Sequence, residues 1–277
     1  MRAGTSAPAN INSVSTERTQ IVLLPGMDGT GNLFADFTEA LASDNEALVL
    51  RYPSDVRQSY EQLSQLVQYH LPSSTPFVLV AESFSAPLAM QLAAEDKANL
   101  KGLVICSGFA NSPVRGWLRS LCLCLPSICF WIEPPTSAIR CLLVGREASD
   151  SMVAAVRSAI RSVKPTVLAH RLRLTLTCDS RSALSGIKVP MLFIQPTEDR
   201  LVSSDCLKEM REVKPDAAVE WIQGPHLILQ KRSNENSGGH REVCPTVVNC
   251  LVPCKGHRKV HAKPMISFAL MEMTISP

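Results

Sequence analysis

The chain has 277 residues, of which 45% are hydrophobic and 19% charged, and this composition excludes a disordered or fibrous protein. Its formal net charge at pH 7 is +3, but residues 1–230 carry 21 basic and 22 acidic side chains, so the excess lies in residues 231–277. A neutral main body lacks the clustered cations that bind phosphates, and we therefore expect no nucleic-acid partner.

Six short apolar runs alternate with segments that have the apolar spacing of helices. The runs are at 21–24, 47–50, 77–80, 103–106, 191–194 and 219–222. This alternation predicts the α/β class, with a mostly parallel central sheet and helices on both of its faces. Ligands of such sheets bind at the carboxyl ends of the strands, so we look for functional residues directly after each run.

Residues 113–184 interrupt the alternation with helical segments at 117–132, 136–143 and 151–162. We interpret them as an inserted lid over the strand ends; the alternative is that these helices simply pack on the sheet. Leu121, Leu125 and Ile128 in the first segment are candidates for lining an apolar substrate pocket. Ordinary helix packing explains them equally well.

The sequence contains no segment that predicts a membrane span. The longest apolar uncharged run, 120–132, is 13 residues long and contains Pro126, whereas a span needs roughly 18 or more. Residues 1–20 lack the apolar core of a secretory signal, and we interpret them as a flexible lead-in. Most of the ten cysteines lie in apolar stretches, so we expect buried thiols and a cytoplasmic protein.

A serine follows the third predicted strand and precedes a helix. Ser83 has small residues two positions away on each side, Ala81 and Ser85, and Pro87 lies in the first turn of the helix. A sharp strand-to-helix turn that exposes a nucleophile requires small neighbours at these positions. The pattern therefore predicts a nucleophile elbow, although glycine is usual at both flanking positions. The alternative is a serine in an ordinary loop.

The loop after the first strand, residues 24–31, contains three glycines. Such a loop turns backbone amides toward a pocket, where they stabilise a developing oxyanion. We predict the amides of Met27 and Phe84 as the two donors, because Phe84 directly follows the nucleophile. The glycine spacing matches neither dinucleotide-binding nor P-loop motifs, so nucleotide binding is set aside.

A serine nucleophile requires a histidine base, which a carboxylate orients. Asp199 follows the fifth predicted strand, with Glu198 as the alternative, and His226 follows the last strand behind Gly-Pro. The order Ser83, Asp199, His226 predicts a triad of the hydrolase type.

These motifs resemble the α/β-hydrolase superfamily, in particular the group with a Leu-Pro-Gly-x-Asp-Gly-x-Gly loop and an Ala-Glu-Ser-Phe-Ser elbow. The resemblance covers residues 20–230. It implies an α/β-hydrolase fold and a serine hydrolase acting on a small-molecule ester or acyl substrate, with Ser83 as nucleophile, Asp199 as orienting acid and His226 as base. No metal or cofactor is expected. An acyltransferase with the same triad and a non-catalytic binding protein remain open alternatives.

Residues 231–277 do not continue the pattern, since a closing helix is expected after His226 and a turn-rich, basic, cysteine-rich stretch follows instead. We interpret it as an atypical, poorly ordered tail. Its metal-binding residue types are Cys244, Cys250, Cys254, His257 and His261. Their spacing lacks the close cysteine pair of structural zinc sites, and the nearby basic residues are only a weak signal for contact with a membrane surface.

Overall fold

The computed structural model describes residues 19–41 and 46–230. Within them a six-stranded sheet has the order β2-β1-β3-β4-β5-β6, and every adjacent pair is parallel. The strands are β1 (Gln20–Leu24), β2 (Ala47–Val49), β3 (Phe77–Glu82), β4 (Leu100–Cys106), β5 (Met191–Pro196) and β6 (Ala218–Ile222). The predicted α/β class and parallel sheet are confirmed.

Helices connect the strands. They are α1 (Ala35–Leu41), α2 (Tyr60–His70), α3 (Ala86–Ala94), α4 (Gly116–Leu123), α5 (Thr136–Ile139), α6 (Asp150–Arg161), α7 (Pro165–Thr177), α8 (Arg181–Gly186) and α9 (Ser204–Val213). Local chemistry sets several of their starts. Ser59 and Gln62 form a reciprocal capping box at α2, and a proline occupies the first turn of α3 and of α7, where its missing N–H has no helical partner.

The apolar core lies on both faces of the sheet because successive strand residues point to opposite sides. Leu79 and Ile105 belong to a core cluster that includes residues of α2, α3, α8 and α9. Val80 and Val104 belong to a second cluster with residues of α1 and with Ile228 and Leu229. A parallel sheet covered in this way keeps its middle rigid and leaves the strand ends to carry polar groups.

The segment between β4 and β5 contains α4 to α8 and, within the described residues, an isolated bridge between Asn111 and Asp179. The single helix predicted at 117–132 was wrong: Pro126 separates α4 from a 3₁₀ turn (Ser127–Trp131). Helices α7 and α8 were not predicted. Whether this segment acts as a lid stays a prediction.

The structure also bears on the predictions for the N-terminal segment, the cysteines and membrane-spanning helices. Gln20 belongs to β1, so the lead-in is at least one residue shorter than expected. The seven described cysteines are free thiols; Cys106 and Cys206 are buried, but Cys124 and Cys129 are exposed, which corrects the expectation of buried thiols in that stretch. The predictions for residues 1–18 and for the tail at 231–277 lie outside the described residues. Among the described helices, none has the length and apolar character to cross a membrane.

Candidate active site

Ser83 lies at the turn between β3 and α3, which a 3₁₀ turn (Ser83–Ser85) joins. Its backbone φ is 50°, in the left-handed region that costs a non-glycine residue energy. Ala81 and Ser85 are fully buried against their neighbours, so larger side chains would not fit there. The turn places the Ser83 hydroxyl within hydrogen-bond reach of His226.

Ser85 occupies a position where glycine is usual, and its hydroxyl has two partners. It donates to the carbonyl of Pro25 at 2.5 Å and accepts from the hydroxyl of Tyr52 at 2.6 Å. Burial raises the pKa of Tyr52 above its ordinary value, which keeps the phenol protonated as a donor. This serine therefore connects the turn at Ser83–Ser85 to the loop that follows β1.

The three residues predicted for the triad lie in one hydrogen-bonded chain. The Ser83 hydroxyl lies 2.9 Å from Nε2 of His226, and Nδ1 of His226 lies 2.8 Å from Oδ2 of Asp199. The histidine and aspartate side chains are almost fully buried. In this arrangement Ser83 donates to the imidazole and the imidazole donates to the carboxylate, which fixes its tautomer.

Asp199 uses its second oxygen to anchor its own loop. Oδ1 accepts hydrogen bonds from the backbone amides of Leu201 and Val202, both at 2.9 Å. These bonds fix the orientation of the carboxylate independently of its bond to His226. The alternative acid, Glu198, is exposed and joins the region only through its backbone amide, which donates to the carbonyl of Gly224. Of the two adjacent carboxylates, Asp199 is the one that bonds to His226.

The glycine loop after β1 forms a closed set of backbone bonds. The Gly29 amide donates to the Gly26 carbonyl at 3.0 Å, and the Tyr52 amide donates to the Gly29 carbonyl at 2.8 Å. Gly31 has a φ of 69°, and a Cβ there would lie 2.6 Å from a methyl group of Val49. The first bond fixes the peptide that carries the Met27 amide, because N–H and C=O of a trans peptide point in opposite directions.

Many solved structures share this architecture, although their sequences have low identity to this chain. A hydrolase from Oleispira antarctica superposes with a TM-score of 0.67 at 16% identity, covering 84% of this chain and 90% of that chain. MenH from S. aureus gives 0.64 at 16%, covering 80% and 91%. The enol-lactonase from Burkholderia xenovorans LB400 gives 0.60 at 18%, covering 76% and 85%.

The chain has the α/β-hydrolase fold. No family profile and no curated protein sequence matches it. In this fold the catalytic groups lie on loops after strands, which is where Ser83, Asp199 and His226 lie here.

One residue beside the candidate site was missed by sequence reasoning. Ser107 follows β4, is fully buried, has a φ of 51°, and donates its hydroxyl to the His226 carbonyl at 2.7 Å. The amide of Leu227 donates to the carbonyl of Leu143 in the inserted segment at 2.9 Å. These two bonds hold the histidine backbone from both sides. The available signal was a polar residue directly after a strand, at the edge where ligands of this fold bind.

Glu82, which directly precedes Ser83 in the chain, is the second residue that sequence reasoning missed. It is fully buried, and burial raises its pKa to about 7, against the opposing effects of His226 and the Gln230 amide. The Gln230 amide donates to its Oε2 at 3.2 Å, whereas Oε1 of both Glu82 and Gln230 has no hydrogen-bond partner. Near neutral pH a large fraction of the Glu82 carboxyl is therefore protonated.

The predicted pocket residues lie on the inserted segment away from the buried core. Leu121 is 54% exposed and Ile128 is 69% exposed, while Leu125 is partly buried. Their role in binding substrate stays a prediction. Within the described ranges, no group of three or more His, Cys, Asp or Glu residues is placed to hold a metal ion.

Proposed function

We propose that the chain is a serine hydrolase that cleaves an ester or thioester of a small or acyl-chain substrate through an acyl-enzyme on Ser83. The single observation that carries this proposal is the continuous chain of hydrogen bonds from the Ser83 hydroxyl through His226 to Asp199, at 2.9 and 2.8 Å. A nucleophile, a base and an orienting carboxylate within hydrogen-bond reach are the minimum that acyl transfer requires.

In the first half-reaction Ser83 Oγ forms a bond to the carbonyl carbon and transfers its proton to His226 Nε2. The amides of Met27 and Phe84 stabilise the oxyanion of the tetrahedral intermediate. The intermediate collapses, and the leaving alkoxide or thiolate takes the proton from His226. An acyl ester on Ser83 remains.

In the second half-reaction a water molecule donates a proton to His226 as its oxygen attacks the acyl carbon. Collapse of the second intermediate returns the proton to Ser83 and releases the carboxylic acid. Asp199 stays ionised and stabilises the imidazolium in both halves.

Two further observations support a catalytic role over a non-catalytic scaffold. Ser83 is held at a strained φ of 50°, a cost that persists in proteins chiefly at functional sites. The structural neighbours include proteins described as a hydrolase, an enol-lactonase and carboxylesterases. Likeness of fold alone does not establish activity, so the proposal stands on the geometry.

Labelling with a fluorophosphonate probe, read by intact mass, tests the proposal. Wild-type protein and Ser182→Ala, which alters an exposed serine, are expected to gain one adduct each, and Ser83→Ala is expected to gain none. Hydrolysis of p-nitrophenyl esters and acyl thioesters then defines the substrate class. Folded wild-type protein that gains no adduct, or a Ser83→Ala variant that still gains one, would contradict the proposal.

A further inference from the structure

Arg171 is a buried cation in the middle of α7, on the inserted segment. The residue is only 2% exposed, whereas Arg173 on the same helix is exposed. It lies on the helix face that also buries Val167, Leu168 and Thr175. Removing a guanidinium from water costs free energy unless its N–H groups find acceptors, so its partners indicate what this residue does.

Its partners are the backbone carbonyls of two loops. Nη1 donates to the carbonyls of Met27 and Asp28 at 2.9 and 2.7 Å, and Nη2 donates to the carbonyl of Pro53 at 2.9 Å. Among the described residues no carboxylate forms an ion pair with it. Nη1 serves the two adjacent carbonyls while Nη2 reaches the third carbonyl on the other loop, and the single ammonium nitrogen of lysine has no second donor atom to span the two loops.

These bonds fix the part of the glycine loop that follows the Met27 amide. The guanidinium holds the Met27–Asp28 and Asp28–Gly29 peptides, while the Gly29 amide closes the turn on Gly26 at 3.0 Å. A Cβ at Gly29 would lie 2.6 Å from Nη1 of Arg171, so the loop and the guanidinium are in direct contact. The loop conformation and the arginine therefore depend on each other.

The same guanidinium also reaches the nucleophile turn. Its carbon lies 5.9 Å from the ring centroid of Phe84 and 5.7 Å from that of Tyr52, and the Tyr52 hydroxyl bonds to Ser85. Cations over aromatic rings at this distance are attracted to the ring face. Arg171 thus contacts both residues predicted to supply the oxyanion-binding amides: the Met27 carbonyl and the Phe84 ring.

We propose that Arg171 is a positioning residue for the oxyanion hole, through which the inserted segment sets the orientation of the Met27 and Phe84 amides. The inference rests on the proposed function and deepens it. It gives the segment between β4 and β5 a part in stabilising the transition state, whether or not the segment also acts as a lid.

The test compares Arg171→Met and Arg171→Lys with Arg173→Met, a matched control on the exposed side of the same helix. Activity is expressed per serine that reacts with fluorophosphonate, which removes the effect of any misfolded fraction. We expect kcat of Arg171→Met to fall by roughly 10²-fold, the loss typical of one missing oxyanion donor, with KM near the wild-type value. The kcat of Arg171→Lys is expected to lie between those of wild type and Arg171→Met. Arg173→Met is expected to have the kcat of wild type.

A transition-state analogue separates positioning from general structural support. A trifluoromethyl ketone forms a hemiketal when Ser83 Oγ adds to its carbon and the proton passes to His226, which leaves an oxyanion in the hole. Its inhibition constant is expected to rise by the same factor by which kcat falls. Guanidinium ion added to Arg171→Ala is expected to restore part of kcat, because it can donate to the same three carbonyls.

Hydrogen exchange of the peptide at residues 24–31 gives a readout that does not depend on activity. We expect faster exchange there in Arg171→Met, with exchange in the central strands unchanged and Arg173→Met like wild type. If kcat per reactive serine, inhibitor binding and loop exchange all match Arg173→Met, the inference is overturned. If wild-type protein neither labels nor hydrolyses esters, the proposed function fails, and the exchange experiment alone decides whether Arg171 holds the loop.

Discussion

The strand-end loops and the inserted segment of this α/β-hydrolase fold differ in how they present their side chains. The loops after β3 and β5 and the residues after β6 hold Ser83, Asp199 and His226 in one network of hydrogen bonds, with the aspartate and histidine side chains almost fully buried. On the inserted segment Trp117 is 78% exposed and Trp131 is 70% exposed. The hydrogen-bonded polar residues thus lie at the strand ends, whereas the inserted segment exposes large apolar side chains.

The first prediction tests whether the strand-end loops carry the chemistry. Asp199→Asn is expected to lower kcat by about 10⁴-fold, because the amide favours the wrong histidine tautomer. Ester hydrolysis with single-turnover kinetics measures the effect. Glu198→Gln, the neighbouring exposed carboxylate, serves as the control and is expected to retain activity. Equal losses in both variants would mean that the acid is misassigned.

The second prediction compares stability in the two regions. Leu79→Ala removes a buried side chain from β3, and we expect the free energy of unfolding to fall by about 2–5 kcal/mol. Trp117→Ala alters an exposed side chain of α4, and a change within about 0.5 kcal/mol is expected. Urea denaturation measures both. A large loss for Trp117→Ala would show that this face of the segment is covered in solution.

The third prediction concerns the buried carboxyl of Glu82, next to Ser83 in the chain. The pKa of Glu82 is about 7 in the folded chain and 4.5 in its ordinary state, so the folded chain retains a proton that the unfolded chain has released. The free energy of unfolding therefore falls as pH rises from 4.5 to about 7, by roughly 3 kcal/mol in total.

Glu82→Gln removes this titration, and the variant is expected to be more stable than wild type above pH 7. The difference in the free energy of unfolding is expected to vanish below pH 4.5, the ordinary pKa of glutamate. Denaturant midpoints across the pH range measure the effect. Glu147→Gln, at an exposed carboxylate, is expected to keep the wild-type profile. A Glu82→Gln variant that shows the wild-type slope would contradict the assignment.

The smallest effect is expected on the inserted segment itself. Leu121→Lys and Leu125→Lys are expected to raise KM for long-chain p-nitrophenyl esters several-fold and to leave KM for the acetate unchanged, if these side chains contact the acyl chain. Val56→Lys, at an exposed apolar residue outside the segment, is the control. Equal changes for long and short esters would remove the pocket assignment.

The same contrast explains what the sequence alone predicted. Apolar runs bounded by turn residues located all six strands, and the residues directly after them included Ser83, Asp199 and His226. Parallel strands bring their carboxyl ends to one edge, so chain position alone was sufficient to group these side chains. Periodicity within the inserted segment was less informative, because short helices broken by prolines follow no single repeat.

Arg171 shows why the remaining contacts escaped prediction. Its partners are backbone carbonyls more than 100 residues away along the chain, and backbone groups leave no trace in a residue pattern. The available signal was a cation at the apolar positions of a helix, between Val167 and Thr175. The hydrogen bond of the Ser85 hydroxyl was not predicted either. From the sequence alone, a serine at a position where glycine is usual shows only a departure from the motif.

The most direct test of the account compares kcat/KM for a p-nitrophenyl ester between wild type and Ser83→Ala, with folding of both verified by circular dichroism. The account predicts that the variant loses about 10⁴-fold or more, because the nucleophile and its acyl-enzyme are gone while the fold remains. A Ser83→Ala variant within tenfold of wild type would contradict it, since hydrolysis would then not pass through this serine.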